Sequence, residues 1–300
     1  MTRKFVRWAS SPKPIAGLVL GALLGAPALY YAREVEPEDV EVVPVSIELP
    51  RLTPQFDGYR IAQVSDLHVT GWMTPGRLLG LVELVNAEAP DLVVITGDLA
   101  TYSRFRSRIR HVPGLVAPLR RLRPPDGTIA VLGNHDHKTN AAVVRQALAA
   151  SGVIELSNAV ESLHRDGAAL HLCGVDSALK GVVRLARVLE ELPEGDTAIL
   201  LAHEPDFADT SAQTGRFDLQ LSGHSHGGQV RIPFLKTPYV VPLLSRLGFS
   251  FVPPLIYEYP SGLYEVGKMY QYTNRGLGVI YARFRLNSRP EVTVLTLRSP

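Results

Sequence analysis

The chain has 300 residues, 46% hydrophobic and 20% charged, so it can bury a sizeable core and is too apolar for a disordered protein. Its 31 basic and 29 acidic residues leave a formal charge of only +2, which gives no reason to expect nucleic acid as a partner. The single cysteine, Cys173, excludes an intrachain disulfide and a Cys-x-x-Cys motif.

The first 32 residues predict a signal anchor or a signal peptide. An uncharged apolar stretch from Ile15 to Ala32 follows a basic segment and, at about 18 residues, can cross a membrane as a helix. The acidic residues after it place the N-terminus in the cytoplasm and the remainder on the periplasmic or extracellular side. We therefore expect a single span in the cell membrane, or an exported soluble form if cleavage occurs near Ala26-Pro27-Ala28.

The remaining chain predicts a short connection followed by one domain. Residues 33–50 are rich in proline and acidic residues, and predict a tether or an edge strand. Residues 51–300 alternate short apolar runs with helical patterns, which indicates a layered α/β domain. The predicted strands are Ile61–Val64, Leu92–Thr96, Ile129–Leu132, Leu170–Val175, Ala198–Ala202, Leu219–Leu221, Gln229–Ile232, Lys268–Thr273 and Glu291–Leu297.

Three helices are predicted between these strands from apolar residues at helical spacing. The first begins at Thr74-Pro75, a capping residue followed by a first-turn proline, and contains Leu78 to Val85. The second contains Val143 to Leu148, and the third Val182 to Leu192.

Polar residues follow five of the predicted strands, at the end where α/β sheets usually place their sites. They are Asp66 and His68, Asp98, Asn134 with His135 and Asp136, His203, and His224 with His226. Each residue alone would more often be a turn, a cap or a packed core side chain. Their occurrence in chain order after five of the strands favours one shared site instead. Carboxylates, imidazoles and an amide oxygen suit Mn, Fe, Zn or Mg rather than a structural zinc held by thiolates.

The same series resembles the motifs of the calcineurin-like metallophosphoesterases: D-x-H, G-D, G-N-H-[DE], a lone H, and G-H-x-H. They correspond here to Asp66-Leu67-His68, Gly97-Asp98, Gly133 to Asp136, His203 and Gly223 to His226. The glycine-rich segments Gly227-Gly228-Gln229 and Asn274 to Gly278 are similar to those of a bacterial membrane-associated phosphodiesterase subgroup.

The resemblance implies a fold, a metal centre and a reaction. The fold is a four-layer α/β/β/α sandwich in which two mixed sheets are flanked by helices. Two divalent metal ions would be held, one by Asp66, His68 and His226, the other by Asn134, His203 and His224, with Asp98 bridging both. The reaction is hydrolysis of a phosphoester, in which His135 would stabilise the transition state or protonate the leaving oxygen and Asp136 could orient His135.

The segment from residue 234 to 257 bears on the substrate. It is unusually apolar for a stretch interrupted by prolines, and it directly follows the last motif. Together with the N-terminal segment it suits contact with a membrane and a lipid-linked phosphoester such as UDP-diacylglucosamine, although packing onto the core explains it equally well. Lys236 and Arg275 are available to contact substrate phosphates.

Two other hypotheses stay open from the sequence. One is a hydrolase of soluble nucleotide or sugar phosphoesters, in which the apolar segment is only structural. The other is a non-catalytic metal-binding scaffold at the membrane. His135 argues against the scaffold, because it is not a metal ligand in the implied scheme and a scaffold has no evident need for it.

Overall fold

Two mixed β-sheets pack face to face and form the centre of the protein. The computed structural model describes residues 26–101, 109–231, 257–280 and 283–300. The strands are β1 (Glu41–Glu48), β2 (Arg60–Val64), β3 (Leu92–Ile95), β4 (Thr128–Ala130), β5 (Ile154–Glu155), β6 (Ala159–Arg165), β7 (Ala168–Gly174), β8 (Thr197–Leu201), β9 (Leu219–Ser222), β10 (Gly262–Val266), β11 (Met269–Thr273) and β12 (Glu291–Arg298).

The order of the strands is β1-β12-β2-β3-β4-β5 in one sheet and β10-β11-β9-β8-β7-β6 in the other. In the first sheet β2 to β5 run parallel, and β12 lies antiparallel to β2. In the second sheet β7, β8, β9 and β11 run parallel, with antiparallel strands at both edges. Parallel neighbours bring their carboxyl ends to one edge, so the residues that follow them come close together.

Helices cover the outer face of each sheet. The α-helices are α1 (Pro75–Ala87), α2 (Val116–Leu119), α3 (Asn134–Thr139), α4 (Ala141–Ser151), α5 (Leu185–Glu191) and α6 (Ala208–Ala212). One apolar cluster packs α1 and α4 on the first sheet, another packs α5 and α6 on the second, and a third fills the space between the sheets. The layers therefore follow the order α/β/β/α, and the predicted sandwich is confirmed.

Local sequence accounts for the start of the two longest helices. The Thr74 hydroxyl accepts a hydrogen bond from the amide of Arg77 at 3.3 Å, and Pro75 occupies the first turn, where its missing N–H is not needed. The side chain of Asn140 caps α4 in the same way, accepting from the amides of Ala142 and Val143. All three predicted helices are present, with the third shortened to Leu185–Glu191.

One predicted segment takes one of its two stated alternatives, and one predicted strand is wrong. Residues 33–50, predicted as a tether or an edge strand, contain the edge strand β1, which pairs in parallel with β12 from Glu41 to Glu48. Gln229–Ile232 is not a strand over its described residues, where only Val230 forms an isolated bridge, to Leu286. Left-handed backbone at Gly228 and Gln229 (φ 84° and 52°) turns the chain there, which prevents extended pairing.

Three other predictions fall wholly or mostly outside the described residues. They are residues 15–25 of the expected membrane anchor, residues 234–256 of the apolar segment, and Lys236. Residues 26–30 are helical, and Tyr31–Val35 continue them as a π-helical turn. Within the described ranges, no helix combines the length and the apolar character that a membrane crossing requires.

The N-terminal segment is fastened to the domain through Glu36, which is only 2% exposed. Its carboxylate accepts hydrogen bonds from the amides of Asn287 at 3.0 Å and Ser288 at 2.5 Å. Nearby, the carbonyl of Ala32 accepts from the amide of Arg285 at 2.8 Å. The hydroxyl of Ser288 in turn donates to the carbonyl of His226 at 2.8 Å. Ser288 therefore connects Glu36 with the backbone of a predicted metal ligand through two hydrogen bonds.

Replacing Glu36 with glutamine should therefore destabilise the fold by about 1–3 kcal/mol, the cost of leaving a buried polar group without its partner. The amide of glutamine places a donor against one of the two backbone N–H groups. Urea denaturation of the full chain measures the effect. Glu48→Gln is the matched control, because Glu48 is exposed at the end of β1. If the two variants unfold at the same urea concentration, the hydrogen bonds of Glu36 contribute nothing to the stability of the fold.

Candidate metal centre

Six of the seven predicted metal ligands converge at the carboxyl ends of β2, β3, β8 and β9. The seventh, Asn134, is buried at the start of α3, after β4. Three groups of side chains bring their ligand atoms within 4.8 Å of one another. These groups are Asp66 with His68 and His226, His68 with Asp98 and His135, and Asp98 with His203 and His224. Asp98 and His68 each belong to two groups, so the three form one continuous cluster.

Each carboxylate uses one oxygen for anchorage and presents the other to the cluster. Asp66 Oδ2 accepts from the Ser65 hydroxyl at 2.6 Å and the His224 amide at 2.9 Å, whereas Oδ1 lies 3.3 Å from His226 Nε2. Asp98 Oδ1 accepts from the His135 amide at 2.7 Å, whereas Oδ2 lies 3.3 Å from His203 Nε2. The anchored oxygens fix the orientation of the free ones, as in preorganised metal sites.

The ring nitrogens converge in the same way. Nε2 of His68 lies 3.0 Å from Nε2 of His226, and Nδ1 of His224 lies 3.2 Å from Nε2 of His203. His203 Nδ1 is 2.7 Å from the carbonyl of Thr96, and because a carbonyl can only accept, Nδ1 carries the proton. The other ring nitrogen, Nε2, faces Asp98 Oδ2 at 3.3 Å and is the atom through which His203 could bind a metal.

Buried atoms without partners test whether these residues fit a metal. Asp66 Oδ1 and Asn134 Oδ1 are buried and accept no hydrogen bond within the described residues. Leaving such acceptors unpaired would cost about 1–3 kcal/mol each. Asp66 Oδ1 also lies 3.3 Å from His226 Nε2 and 3.7 Å from His68 Nε2, which indicates a site for a cation. The donor set of carboxylate, imidazole and amide oxygen fits hard or borderline divalent ions.

Burial and the charges of neighbouring side chains shift the pKa values of the clustered residues in different directions. Burial alone would raise the pKa of Asp66, but the charge of His226 outweighs it and holds that pKa well below its usual range. Burial likewise opposes a charged His203, yet Asp98 raises the pKa of His203 well above the usual value. By contrast, burial and then the charge of His203 lower the pKa of His224 to about 3. An ionised Asp66 and a neutral His224 are in the protonation states in which metals bind, whereas His203 would have to release the proton that Asp98 favours.

Strained backbone marks the same residues. Asp66, His68, Asp98, His224 and His226 have left-handed φ angles of 51°, 47°, 53°, 68° and 52°. Non-glycine residues adopt this conformation uncommonly, and clusters of it occur at functional sites. The surrounding hydrogen bonds hold it in place, for example those from the His68 amide to the carbonyl of Asp98 and from the Asp66 amide to the carbonyl of Gly97, both at 3.0 Å.

Gly133 lets the third motif approach the second closely. A Cβ atom at Gly133 would lie 2.2 Å from Asp98 Oδ1 and 2.5 Å from the Asp98 backbone nitrogen. Gly133→Ala should therefore displace Asp98 and weaken metal binding by about 10–100-fold, the usual range for losing support of a ligand. Metal titration of the full-length variant measures the loss. The control is Gly80→Ala, where a Cβ atom meets nothing within 4 Å, and metal affinity that matches this control would contradict the prediction.

His135 lies at the edge of the cluster. Its ring is edge-on to that of His68, with centroids 5.0 Å apart, and its Nδ1 has no partner within the described residues. Burial lowers the pKa of His135 to about 3, so the ring is neutral and carries one N–H. Its neighbour Asp136 does not contact this ring in the described structure. The Asp136 carboxylate accepts from the amides of Leu99 at 3.3 Å, Ala100 at 2.8 Å and Gly133 at 2.9 Å, and so holds together the loops that carry the ligands.

Arg275, predicted as a substrate contact, is paired with acidic side chains. Its guanidinium forms ion pairs with Glu41 of β1, at 2.6 Å, and with Glu291 at the start of β12. These partners connect Arg275, in the loop after β11, with the neighbouring strands β1 and β12. The other predicted contact, Lys236, lies outside the described residues.

The loop from Asn274 to Gly278 supports the metal ligands, a role that the sequence reasoning did not predict. The amides of Leu277 and Gly278 donate to the carbonyls of Ser65 and Asp66 at 3.0 and 2.7 Å. The fully buried Arg285 guanidinium holds this loop by donating to the carbonyls of Gly276 at 2.9 Å and Gly278 at 2.6 Å. The Asn274 to Gly278 motif signalled the loop, but nothing in the sequence around Arg285 identified its partner.

Comparisons with known proteins agree with this geometry. Residues 59–228 match the family model described as calcineurin-like phosphoesterase. The chain is 33% identical to "uncharacterized metallophosphoesterase YkuE" of Bacillus subtilis, with 94% of each chain covered. It is 28% identical to phosphodiesterase YaeI of Escherichia coli, with 80% of this chain and 82% of the relative covered. It is also 28% identical to a transmembrane protein with metallophosphoesterase domain from Danio rerio, with 93% and 62% covered.

Proposed function

Because the chain belongs to the calcineurin-like phosphoesterase family, we propose that it hydrolyses phosphodiesters or pyrophosphates at a membrane, using two divalent metal ions. The chain is a phosphoester hydrolase by family, and the proposal concerns its metals, its residues and its location. One observation carries the proposal: Asp66 and Asp98 each anchor one oxygen and present the other to a shared cluster of imidazoles.

Two sets of side chains would hold the ions. Asp66, His68 and His226 would form one set, and His203 and His224, together with the buried and unpartnered Oδ1 of Asn134, would form the other. Asp98 would join the sets, since its Oδ2 lies 3.3 Å from His203 and 3.6 Å from His68. The bound ions would be Mn, Zn, Fe or Mg, and they would neutralise the charge of the phosphoester and lower the pKa of the attacking water.

The remaining chemistry belongs to side chains and backbone of this chain. His135 would donate a hydrogen bond to a phosphoryl oxygen in the transition state, or supply a proton to the leaving oxygen. Asp136 would act as a positioning residue by holding the amides of Leu99, Ala100 and Gly133, rather than by orienting the His135 ring. This preorganisation lets the site act without rearranging as charge develops.

Hydrolysis of bis-p-nitrophenyl phosphate by the purified full chain in detergent micelles tests the reaction. The protein is stripped of metal and then supplied with Mn²⁺, Zn²⁺, Fe²⁺ or Mg²⁺ in separate samples. We expect activity to appear with at least one of these ions and to vanish again on chelation. Tightly bound ions without hydrolysis of this or any pyrophosphate substrate would instead favour the non-catalytic scaffold.

Attachment to the membrane is supported at the N-terminal end of the described chain. Leu29, Tyr30 and Tyr31 are 60%, 65% and 41% exposed, and they lie at the C-terminal end of the apolar stretch from Ile15 to Ala32. Aromatic residues at such a position suit the interface between lipid and water. The catalytic domain would then lie on the periplasmic or extracellular side, as the flanking charges indicate.

A lipid-linked substrate fits this location, and soluble nucleotide or sugar phosphoesters are the alternative. Leu277, in the loop that packs on Asp66, also lines a mainly apolar cavity of about 250 Å³ with Trp72, Leu81 and Leu84. The cavity could receive part of an acyl chain. Comparing hydrolysis of a UDP-linked diacylated sugar with that of UDP-glucose, at equal concentrations in mixed micelles, distinguishes the two. At least tenfold preference for the acylated compound supports the lipid substrate, and equal rates favour the soluble class.

A further inference from the structure

His226 lies in a turn whose backbone is held in an uncommon conformation. His226, Gly227 and Gly228 have left-handed φ angles of 52°, 57° and 84°, and a histidine adopts this conformation only rarely. Such backbone persists only where its surroundings hold it. The hydroxyl of Ser288 donates to the carbonyl of His226 at 2.8 Å, and both residues are buried. Ser288 therefore fixes the peptide that follows a predicted metal ligand.

Two acidic residues near the N-terminal end of the described chain hold both sides of this turn. Ser288 and Arg275 enclose Gly227, since a Cβ atom at Gly227 would lie 2.8 Å from Ser288 Oγ and 2.7 Å from Arg275 Cγ. Glu36 accepts a hydrogen bond from the amide of Ser288 at 2.5 Å. Glu41, the first residue of β1, accepts from the guanidinium of Arg275 at 2.6 Å. Both residues that enclose the turn are thus bound to acidic residues from this end of the chain.

Asp66, which belongs to the same predicted set of ligands, is connected to the chain before β1 by another route. The amide of Gly278 donates to the carbonyl of Asp66 at 2.7 Å. The guanidinium of the fully buried Arg285 donates to the carbonyl of Gly278 at 2.6 Å. The backbone amide of Arg285 donates in turn to the carbonyl of Ala32 at 2.8 Å. The chain before β1 therefore contributes to the placement of both Asp66 and His226.

The other predicted set is supported by different contacts. His203 Nδ1 lies 2.7 Å from the carbonyl of Thr96, which follows β3. The amide of Gly223, which precedes His224, donates to the carbonyl of His203 at 3.1 Å. Neither contact involves β1 or the chain before it. A hydrogen bond from the His224 amide to Asp66 Oδ2 at 2.9 Å links the two sets, so a change at one set reaches the other only indirectly.

We propose that Ser288 and Glu36 are positioning residues for His226, and that the chain from residue 32 to 41 thereby sets the affinity of one metal ion, the ion of the set that contains His226. This inference rests on the proposed function, because it requires two ions. Without the Ser288 hydroxyl the turn relaxes, and metal binding then has to restore it, which lowers the affinity. The apolar stretch at the N-terminus leads directly into this part of the chain, so the proposed membrane attachment and the metal centre share one structural element.

Calorimetric titration of the metal-stripped full chain in detergent micelles with Mn²⁺ or Zn²⁺ measures the affinity of each ion. The wild-type protein should bind two ions. Ser288→Ala should weaken one ion at least about tenfold and the other by less than about threefold, since losing the support of a ligand usually costs about 10–100-fold. Glu36→Gln should weaken the same ion severalfold, because it disturbs the backbone of Ser288 and leaves the hydroxyl in place.

Ser151→Ala is the matched control for Ser288→Ala. Ser151 is also buried, and its hydroxyl also donates to a backbone carbonyl, that of Ala147 at 2.6 Å, but within α4. This control should leave the affinities of both ions unchanged. Wild-type affinities in Ser288→Ala or in Glu36→Gln, or equal weakening of both ions, would overturn the inference and leave the two-ion hydrolase standing. Binding of a single ion by the wild-type protein would instead refute the proposed two-ion centre.

Two further substitutions identify the ion that is affected. His224→Ala breaks the set that lacks His226, and His68→Ala breaks the set that contains it. Adding Ser288→Ala to His224→Ala should weaken the remaining ion about tenfold, whereas adding it to His68→Ala should change the remaining affinity by less than about threefold. The reverse pattern, or equal weakening in both, would show that Ser288 does not act through His226.

Discussion

Replacing Asp98 with asparagine is expected to remove at least one metal ion per chain and to lower kcat/KM by at least about 100-fold, since weakening even the support of a ligand costs about 10–100-fold. Asp98 Oδ2 faces His68 and His203 together, so one carboxylate links both halves of the cluster. An amide has one acceptor oxygen, and its NH₂ group must face either the His135 amide or the cations.

The change is measured by metal content after dialysis and by hydrolysis of bis-p-nitrophenyl phosphate. Asp166→Asn provides a closely matched control, because Asp166 is exposed in the β6–β7 turn and also has a left-handed φ, 47° against 53° for Asp98. The control separates the loss of a metal ligand from the effect of placing asparagine on left-handed backbone. Two ions and wild-type turnover in Asp98→Asn would contradict a bridging role.

Replacing His135 with alanine is expected to keep both ions and to lower turnover by about 10²–10⁴-fold, the usual contribution of a positioned proton donor. The metal centre should survive because His135 supports Asp98 through its backbone amide, and alanine retains that amide. Only the ring beside His68 is lost, with its unpartnered Nδ1.

The two variants together separate ligands from the catalytic group. The His135 ring also lies within 4.8 Å of ligand atoms of His68 and Asp98, so the structure permits it to bind metal. Equal metal loss in His135→Ala and Asp98→Asn would assign His135 as a ligand and would refute its catalytic role. His164→Ala, an exposed histidine of β6, controls for a general effect of losing an imidazole.

The sequence predicted the layered fold and the convergence of the motif residues because both depend on local signals. Apolar runs marked β2, β3, β4, β8 and β9, and the polar residue after each run marked the edge of the sheet where parallel strands end. The third motif also requires glycine at position 133, because a side chain there would collide with Asp98 of the second motif.

What the sequence did not predict depends on long-range contacts. Arg275 was expected to bind substrate, but its guanidinium donates to Glu41 of β1, 234 residues away along the chain. The strands β6 and β10 are half-exposed and lack a continuous apolar run, so no periodic pattern marked them. The left-handed backbone at Asp66 and His68 follows from hydrogen bonds to a neighbouring loop, which residue types alone do not specify.

The most direct test of a two-ion hydrolase is to follow activity against bound metal. The metal-stripped full chain is titrated with Mn²⁺ or Zn²⁺, and bound ions and bis-p-nitrophenyl phosphate hydrolysis are measured on the same samples. Two sets of ligands joined by Asp98 predict little activity with one ion per chain and a steep rise as the second binds. Full activity at one ion per chain, or saturation of the protein at one ion, would contradict the two-ion centre.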